Sequence, residues 1–116
     1  MISNTALLKK KSRHTETALD DRQIDEYLAA VDGWTLTQGK LTKTFSFGNY
    51  YETLAFVNAL AYMVHAEDHH PELVVTYNHC QVKFDTHSVH GGRGGISEND
   101  FICAAKADAI ALHSFA

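Results

Sequence analysis

Six of the chain's eight histidines fall between His65 and His90, and two of them, His69 and His70, stand side by side ahead of the only proline, Pro71. Imidazole gives or takes a proton near neutral pH without any perturbation. A cluster of imidazoles therefore reads as an acid/base site or as a metal site. For metal, His65 and His69 are four apart and would share a helix face, a common ligand spacing. Against it, the intervening Ala66-Glu67-Asp68 lacks the HExxH order. No cysteine pair helps, because Cys80 adjoins His79 and neighbours on a strand face opposite ways. A purely structural use is also open, since a helix C-terminus welcomes a cation and would accept His69 or His70 for that alone. His87 favours a site. The 18 residues from His69 to His87 span a hairpin out and back, which returns His87 to the neighbourhood of His69 and His70.

The elements that must hold these side chains can be read from caps, turns and periodicity. Asp20 or Asp21 caps a helix running to about Val31, with Ile24, Leu28 and Val31 at helical spacing and Gly33 as its stop. Trp34 to Gln38 reads as a strand, Gly39-Lys40 as a tight turn, and Leu41 to Phe47 as the returning strand. Asn49, with Glu52 three on, caps a helix from Tyr50 to about Glu67. Leu54, Val57, Ala61 and Val64 line one face of it, and Phe56, Leu60 and Met63 widen that face. Pro71 breaks it. Leu73 to Tyr77 is a strand, Asn78-His79 a turn, and Cys80 to Thr86 the returning strand, with the glycine-rich loop His90 to Gly95 beyond it. Ser97 with Asp100 starts a last helix whose inward stripe is Ile102, Ala105, Ala109 and Leu112. The order α-β-β-α-β-β-α predicts an α+β fold, a four-stranded antiparallel sheet with helices packed on one face.

A chain of 116 residues suits one compact domain, and 45% hydrophobic residues suit a real core. A net charge of −4 gives no basic footprint for direct nucleic-acid binding, and no apolar run approaches membrane-spanning length. Cys80 and Cys103 are isolated, which reads as two inert thiols in a reducing, cytoplasmic setting. The first fifteen residues carry Lys9, Lys10, Lys11, Arg13 and His14 and no acid. A flexible, solvated tail over 1–15 is expected there rather than a transit peptide, with a single domain over 16–116.

The histidine-rich stretch resembles the signature of the pterin-4a-carbinolamine dehydratases. His65, His69-His70-Pro71, Tyr77, His87 and Asp100 stand at gaps that all fall within the family's pattern. Gly33-Trp34, Phe45-Ser46-Phe47, Asp68, Pro71-Glu72, Thr86-His87 and Ser97-Glu98-Asn99-Asp100 fit as flanking features, so the likeness runs from Leu19 to Ala111. The loop between His87 and Asp100 is longer and richer in glycine than in compact members, and Leu73 stands where an aromatic is common. The resemblance implies dehydration of 4a-hydroxytetrahydropterin to the quinonoid dihydropterin, in recycling of the pterin used for aromatic amino acid hydroxylation. It implies no cofactor and no metal. It makes His69 and His87 the proton-transfer pair, with His70 binding and orienting the pterin among the catalytic residues. Asp68, His65, Trp34 and Asp100 would contact substrate, although Asp100 also suits a helix cap, Trp34 also suits the core, and Tyr77 suits packing. The implied partners are the pterin itself, further copies in a homodimer or homotetramer, and either an aromatic amino acid hydroxylase or a transcription-factor dimer.

Overall fold

The computed structural model describes residues 2–113, so Met1 and residues 114–116 of the two expected segments lie outside it. Its elements are α1 (Asn4–Lys9), α2 (Asp21–Leu28), β1 (Thr35–Thr37), β2 (Lys40–Ser46), α3 (Tyr50–Glu67), β3 (Glu72–Val75), β4 (His79–Phe84), a 3-10 turn (His90–Gly92) and α4 (Glu98–His113). Caps set the helix starts. Asp20 and Gln23 satisfy each other's backbone N–H in a capping box before α2. The Asn49 side chain accepts from Glu52 N at 2.9 Å before α3. Asp68 ends α3 in the left-handed conformation (φ 50°), and Pro71 prevents the helix from resuming.

The four strands form one antiparallel sheet in the order β1-β2-β4-β3. Both turns lie one residue earlier than the sequence reading placed them. Thr37 pairs with Lys40, so the first turn is Gln38-Gly39, and both residues have the positive φ that a type I′ turn requires. Val75 pairs with Cys80 and Thr76 N donates to His79 O, so the second turn centres on Tyr77-Asn78 and β3 stops at Val75. Leu41, Phe45, Cys80, Val82 and Phe84 alternate onto one face and are buried there with residues of α3 and α4. The expected α+β architecture is thus what the chain adopts. Among the described residues no helix is long and apolar enough to cross a membrane.

Three expectations need correction. The buried row of α3 is Thr53, Phe56, Leu60, Met63 and Glu67, while Leu54 and Ala61 are exposed. Both rows of α3 are largely apolar, so periodicity could not choose; the row carrying the bulkier side chains removes more area from water and wins. On α4, Ile102 and Ala105 are buried as expected, but Leu112 is exposed near the end of the helix. The largest departure is at the N-terminus. Residues 4–9 form a helix rather than a frayed tail, and Leu7 is only 1% exposed in the common core. Leu7 is the buried anchor, Ile2 packs against the same core, and polar bonds hold the next few residues. Lys10 Nζ meets Glu98 at 2.7 Å, Ser12 N donates to Glu67 Oε1 at 2.7 Å, and Lys106 Nζ donates to Lys10 O at 2.7 Å.

Leu7→Ala therefore removes a core side chain. Urea unfolding should show a loss of about 2–5 kcal/mol, the usual range for a buried leucine, whereas a solvated tail would show almost none.

Candidate active site

His69 comes directly after the left-handed Asp68 at the end of α3, and that turn sends its ring inward. The ring lies parallel to Phe84 of β4, with centroids 5.9 Å apart, and its Nε2 is 2.5 Å from Asp100 Oδ1. Asp100 is fully buried in the first turn of α4. A buried carboxylate needs partners for both oxygens. Its Oδ2 accepts from Thr86 Oγ1 and from Ser97 N, each at 2.9 Å. The Ser97 hydroxyl lies 2.7 Å from Thr86 Oγ1, and since the Thr86 proton goes to Asp100, Ser97 donates to Thr86. Ser97 Oγ in turn accepts from Asn99 N at 3.2 Å. Asp100 is therefore both helix cap and histidine partner, one oxygen for each.

The glycine-rich loop holds Thr86 in place for this. Thr86 and Gly95 exchange both backbone hydrogen bonds, at 2.8 and 3.1 Å. A Cβ on Gly95 would sit 2.7 Å from His90 Cδ2 and 3.1 Å from a Val89 methyl, so a side chain there would have to push the His90 ring aside.

His69 opens on a cavity of about 320 Å³. His70 and Asp68 border it from the turn after α3, and Thr86, His87 and Ser88 border it beyond the end of β4. The hairpin thus brings His87 to one cavity with His69 and His70. His69 is nearly buried, while His70 and His87 are exposed. Asp68 is exposed and its Oδ1 lies 3.9 Å from His70 Nε2, a solvated contact worth little. Its firmer contribution is the turn itself.

Three residues expected to contact substrate do not border the cavity: Asp100 is fully buried behind His69 and can reach a ligand only through that ring, and Trp34 and His65 lie elsewhere. Trp34 is buried among Phe45 and Phe84, and its indole N–H donates to Asp108 Oδ2 at 2.9 Å. Its size and single polar atom are both satisfied in the core. His65 borders a separate apolar groove with Ala61, Val64, His70, Pro71 and Leu73, one helical turn short of the cavity. Among the described residues no three His, Cys, Asp or Glu side chains converge as metal ligands would.

The sequence reading missed the cavity's other wall, Ser12, Arg13, His14 and Thr15, together with Glu67, Asp85 and Asn99. The available signal was the Ala6-Leu7-Leu8 triplet, an apolar patch with no reason to sit in a solvated tail. Burial disfavours the charged form of Glu67, but the Lys106 ammonium at 2.7 Å and the Ser12 amide outweigh it and leave its carboxyl below the ordinary range. Glu98, also opposed by burial, is lowered in the same way by Lys10 and Tyr27. Burial above all, with the charges of Glu67 and Asp100, pushes the Cys103 thiol up to about 12, so it is no nucleophile at neutral pH.

Sheet, buried pair and cavity define a small α+β protein with three imidazoles gathered at one pocket. A family model described as pterin 4 alpha carbinolamine dehydratase matches residues 17–110. A Bdellovibrio bacteriovorus protein provisionally named pterin-4-alpha-carbinolamine dehydratase is 60% identical over 116 residues, covering all of this chain and 97% of that one. A likewise named Nitrosospira multiformis protein is 50% identical over 92 residues, covering 79% and 78%. A Brucella melitensis structure described as a transcriptional coactivator/pterin dehydratase superposes with a TM-score of 0.74 at 33% identity, covering 82% of this chain and 99% of that one. A pterin dehydratase-like protein described as a RuBisCO assembly factor in the alpha-carboxysome superposes at 0.55 with 26% identity, covering 67% and 86%. The chain belongs to the pterin 4 alpha carbinolamine dehydratase family.

The lowered carboxyls give a pH expectation. A carboxyl whose folded pKa is depressed stabilises the fold above its unfolded value, near 4.5, and loses that contribution as pH falls through the folded value. Melting temperature should therefore drop as pH is lowered from about 4.5 towards 3. Glu67→Gln should melt lower than wild type at pH 7 and lose less on acidification; identical acid profiles would contradict the assignment.

Proposed function

We propose that the chain dehydrates 4a-hydroxytetrahydropterin to the quinonoid dihydropterin by imidazole proton transfer. The observation that carries this is the Asp100-anchored His69 at one cavity with His70 and His87. The reaction forms the C4a=N5 double bond, so N5 must lose a proton while the 4a-hydroxyl gains one and leaves as water. With Asp100 accepting, His69 carries its proton on Nε2 and presents the Nδ1 lone pair. That is a general base for N5–H, and the resulting imidazolium is stabilised by the carboxylate, as in a catalytic triad. His87 supplies the proton to the departing hydroxyl, and its exposure lets solvent reset it. His70, beside His69 and exposed, binds and orients the ring. The sum of protons is zero and no electrons change hands, so the residues need no redox partner. The wider setting, pterin recycling beside an aromatic amino acid hydroxylase in the cytoplasm, is part of the same proposal.

The decay of enzymatically generated 4a-carbinolamine is the test. His69→Ala and His87→Ala should each slow catalysed decay about a hundredfold, the low end for a positioned acid or base. Asp100→Asn should cost about tenfold to a hundredfold through lost orientation. His79, at the opposite end of β4, should be replaceable by Ala at wild-type rate. Folded single variants of His69 and His87 that keep full activity would refute the assignment.

A second, compatible reading is self-association. Tyr51 and Tyr62 on the outer row of α3 are 81% and 82% exposed, with Leu54 between them, and Val75 and Tyr77 are exposed on the neighbouring hairpin. A homodimer or homotetramer that covers this face is proposed. Light scattering at micromolar concentration should give a multiple of the 12.9 kDa chain, and Tyr62→Glu should reduce it towards monomer. A monomeric wild type would contradict it.

A further inference from the structure

The cavity has a wall that the histidines do not account for. Residues 12–15 of the N-terminal arm border it, and they precede residue 17, where the family match begins. The arm's backbone is gripped by side chains of the domain. Ser12 N donates to Glu67 Oε1 at 2.7 Å. Asn99 accepts from Arg13 N at 3.3 Å and donates to Arg13 O at 2.6 Å, and the Ser88 hydroxyl donates to Thr15 O. A segment held through its peptide groups leaves its side chains largely available: Thr15 Oγ1 accepts only the local Thr17 N at 3.1 Å and keeps its proton to donate, and the Arg13 charge acts on Glu98 without a hydrogen bond. The Arg13 guanidinium makes no hydrogen bond among the described residues, and the only ion-pair contact of His14 is with Glu16 at 4.0 Å between exposed side chains. Arg13, His14 and Thr15 also border a second cavity of about 340 Å³, but that one contains none of the histidines from 65 to 90.

Everything this wall offers is polar: a guanidinium, an imidazole and a hydroxyl. In a tetrahydropterin the carbon next to N5 is C6, which carries the variable substituent. A substrate whose N5 is at an imidazole therefore has that substituent beside the reacting edge, on a flanking wall of the same cavity. We propose that Arg13, His14 and Thr15 bind this substituent, so that the site selects a hydroxylated side chain over an alkyl one, with Asn99 as the positioning residue that holds the arm. The inference rests on the dehydratase reading for the placement of the ring. Because the arm is ordered before ligand arrives, less freedom is lost on binding and its hydrogen bonds are realised more fully.

Isothermal titration of the full chain with dihydrobiopterin, which bears a dihydroxypropyl group, and with its C6-methyl counterpart tests this. The wild type should prefer the dihydroxypropyl ligand by about tenfold, the worth of one or two hydrogen bonds. In Arg13→Ala/His14→Ala, and separately in Asn99→Ala, that ratio should fall to about twofold or less, thermal melts confirming that both variants are folded. A merely structural arm would weaken both ligands alike and leave the ratio intact, which would overturn the inference, as would a wild type without preference. Dehydration by the wild type is scored separately: its absence condemns the dehydratase reading, while an unchanged ligand ratio condemns this one.

Discussion

Asp100 is the junction on which the site depends. Its carboxylate is fully buried and joins three otherwise separate pieces of chain: the end of α3 through His69, the segment after β4 through Thr86, and the start of α4 through Ser97 N. Leaving such a group unpaired would cost several kcal/mol, so each partner is held by the penalty of its absence as much as by its own bond. The hydroxyl relay from Ser97 through Thr86 to Asp100 fixes the direction of every proton in the junction. A histidine set this way has one ring nitrogen assigned by the protein and the other left for chemistry.

The surroundings supply the elements that the junction lacks. Phe84 gives the His69 ring a flat partner, and the closure of the glycine loop on Thr86 keeps that hydroxyl from turning away. The N-terminal arm completes the cavity, and its anchors are again buried or half-buried charges with satisfied partners: Glu67 with Lys106 and Ser12, and Glu98 with Lys10 and Tyr27. His69, Glu67 and Asn99 border one cavity, so the ion pair that secures the arm and the pair that orients the imidazole are parts of one polar seam where α3 meets α4.

Much of this was legible in the chain. Pro71 after two histidines, the capping pattern at Asn49 and the Gly39 turn placed four strands and the two long helices to within a residue or two, and hairpin arithmetic put His87 near His69. The features that stayed hidden all depended on side-chain direction. His65 and His69 share a helical repeat, yet the left-handed residue at Asp68 turns only His69 into the cavity. Asp100 offered helix cap and substrate contact as rivals; burial leaves the cap and rules out the contact, and the partner its other oxygen takes, His69, is one the sequence does not show. Arg13 and His14 read as solvated tail because the bonds that hold them come from Glu67, Asn99 and Ser88, more than fifty residues away.

The central claim is that Asp100 fixes the His69 tautomer and leaves Nδ1 for the cavity that His69 shares with His70 and His87. Nitrogen-15 NMR of the histidine side chains, in the free protein and with bound dihydropterin, tests it directly. The account predicts a His69 ring protonated at Nε2 with an unprotonated Nδ1, and ligand-induced shifts confined to His14, His69, His70 and His87, with His79 unmoved. A His69 ring carrying its proton on Nδ1, or ligand shifts centred on His65 and absent from His69, would contradict it.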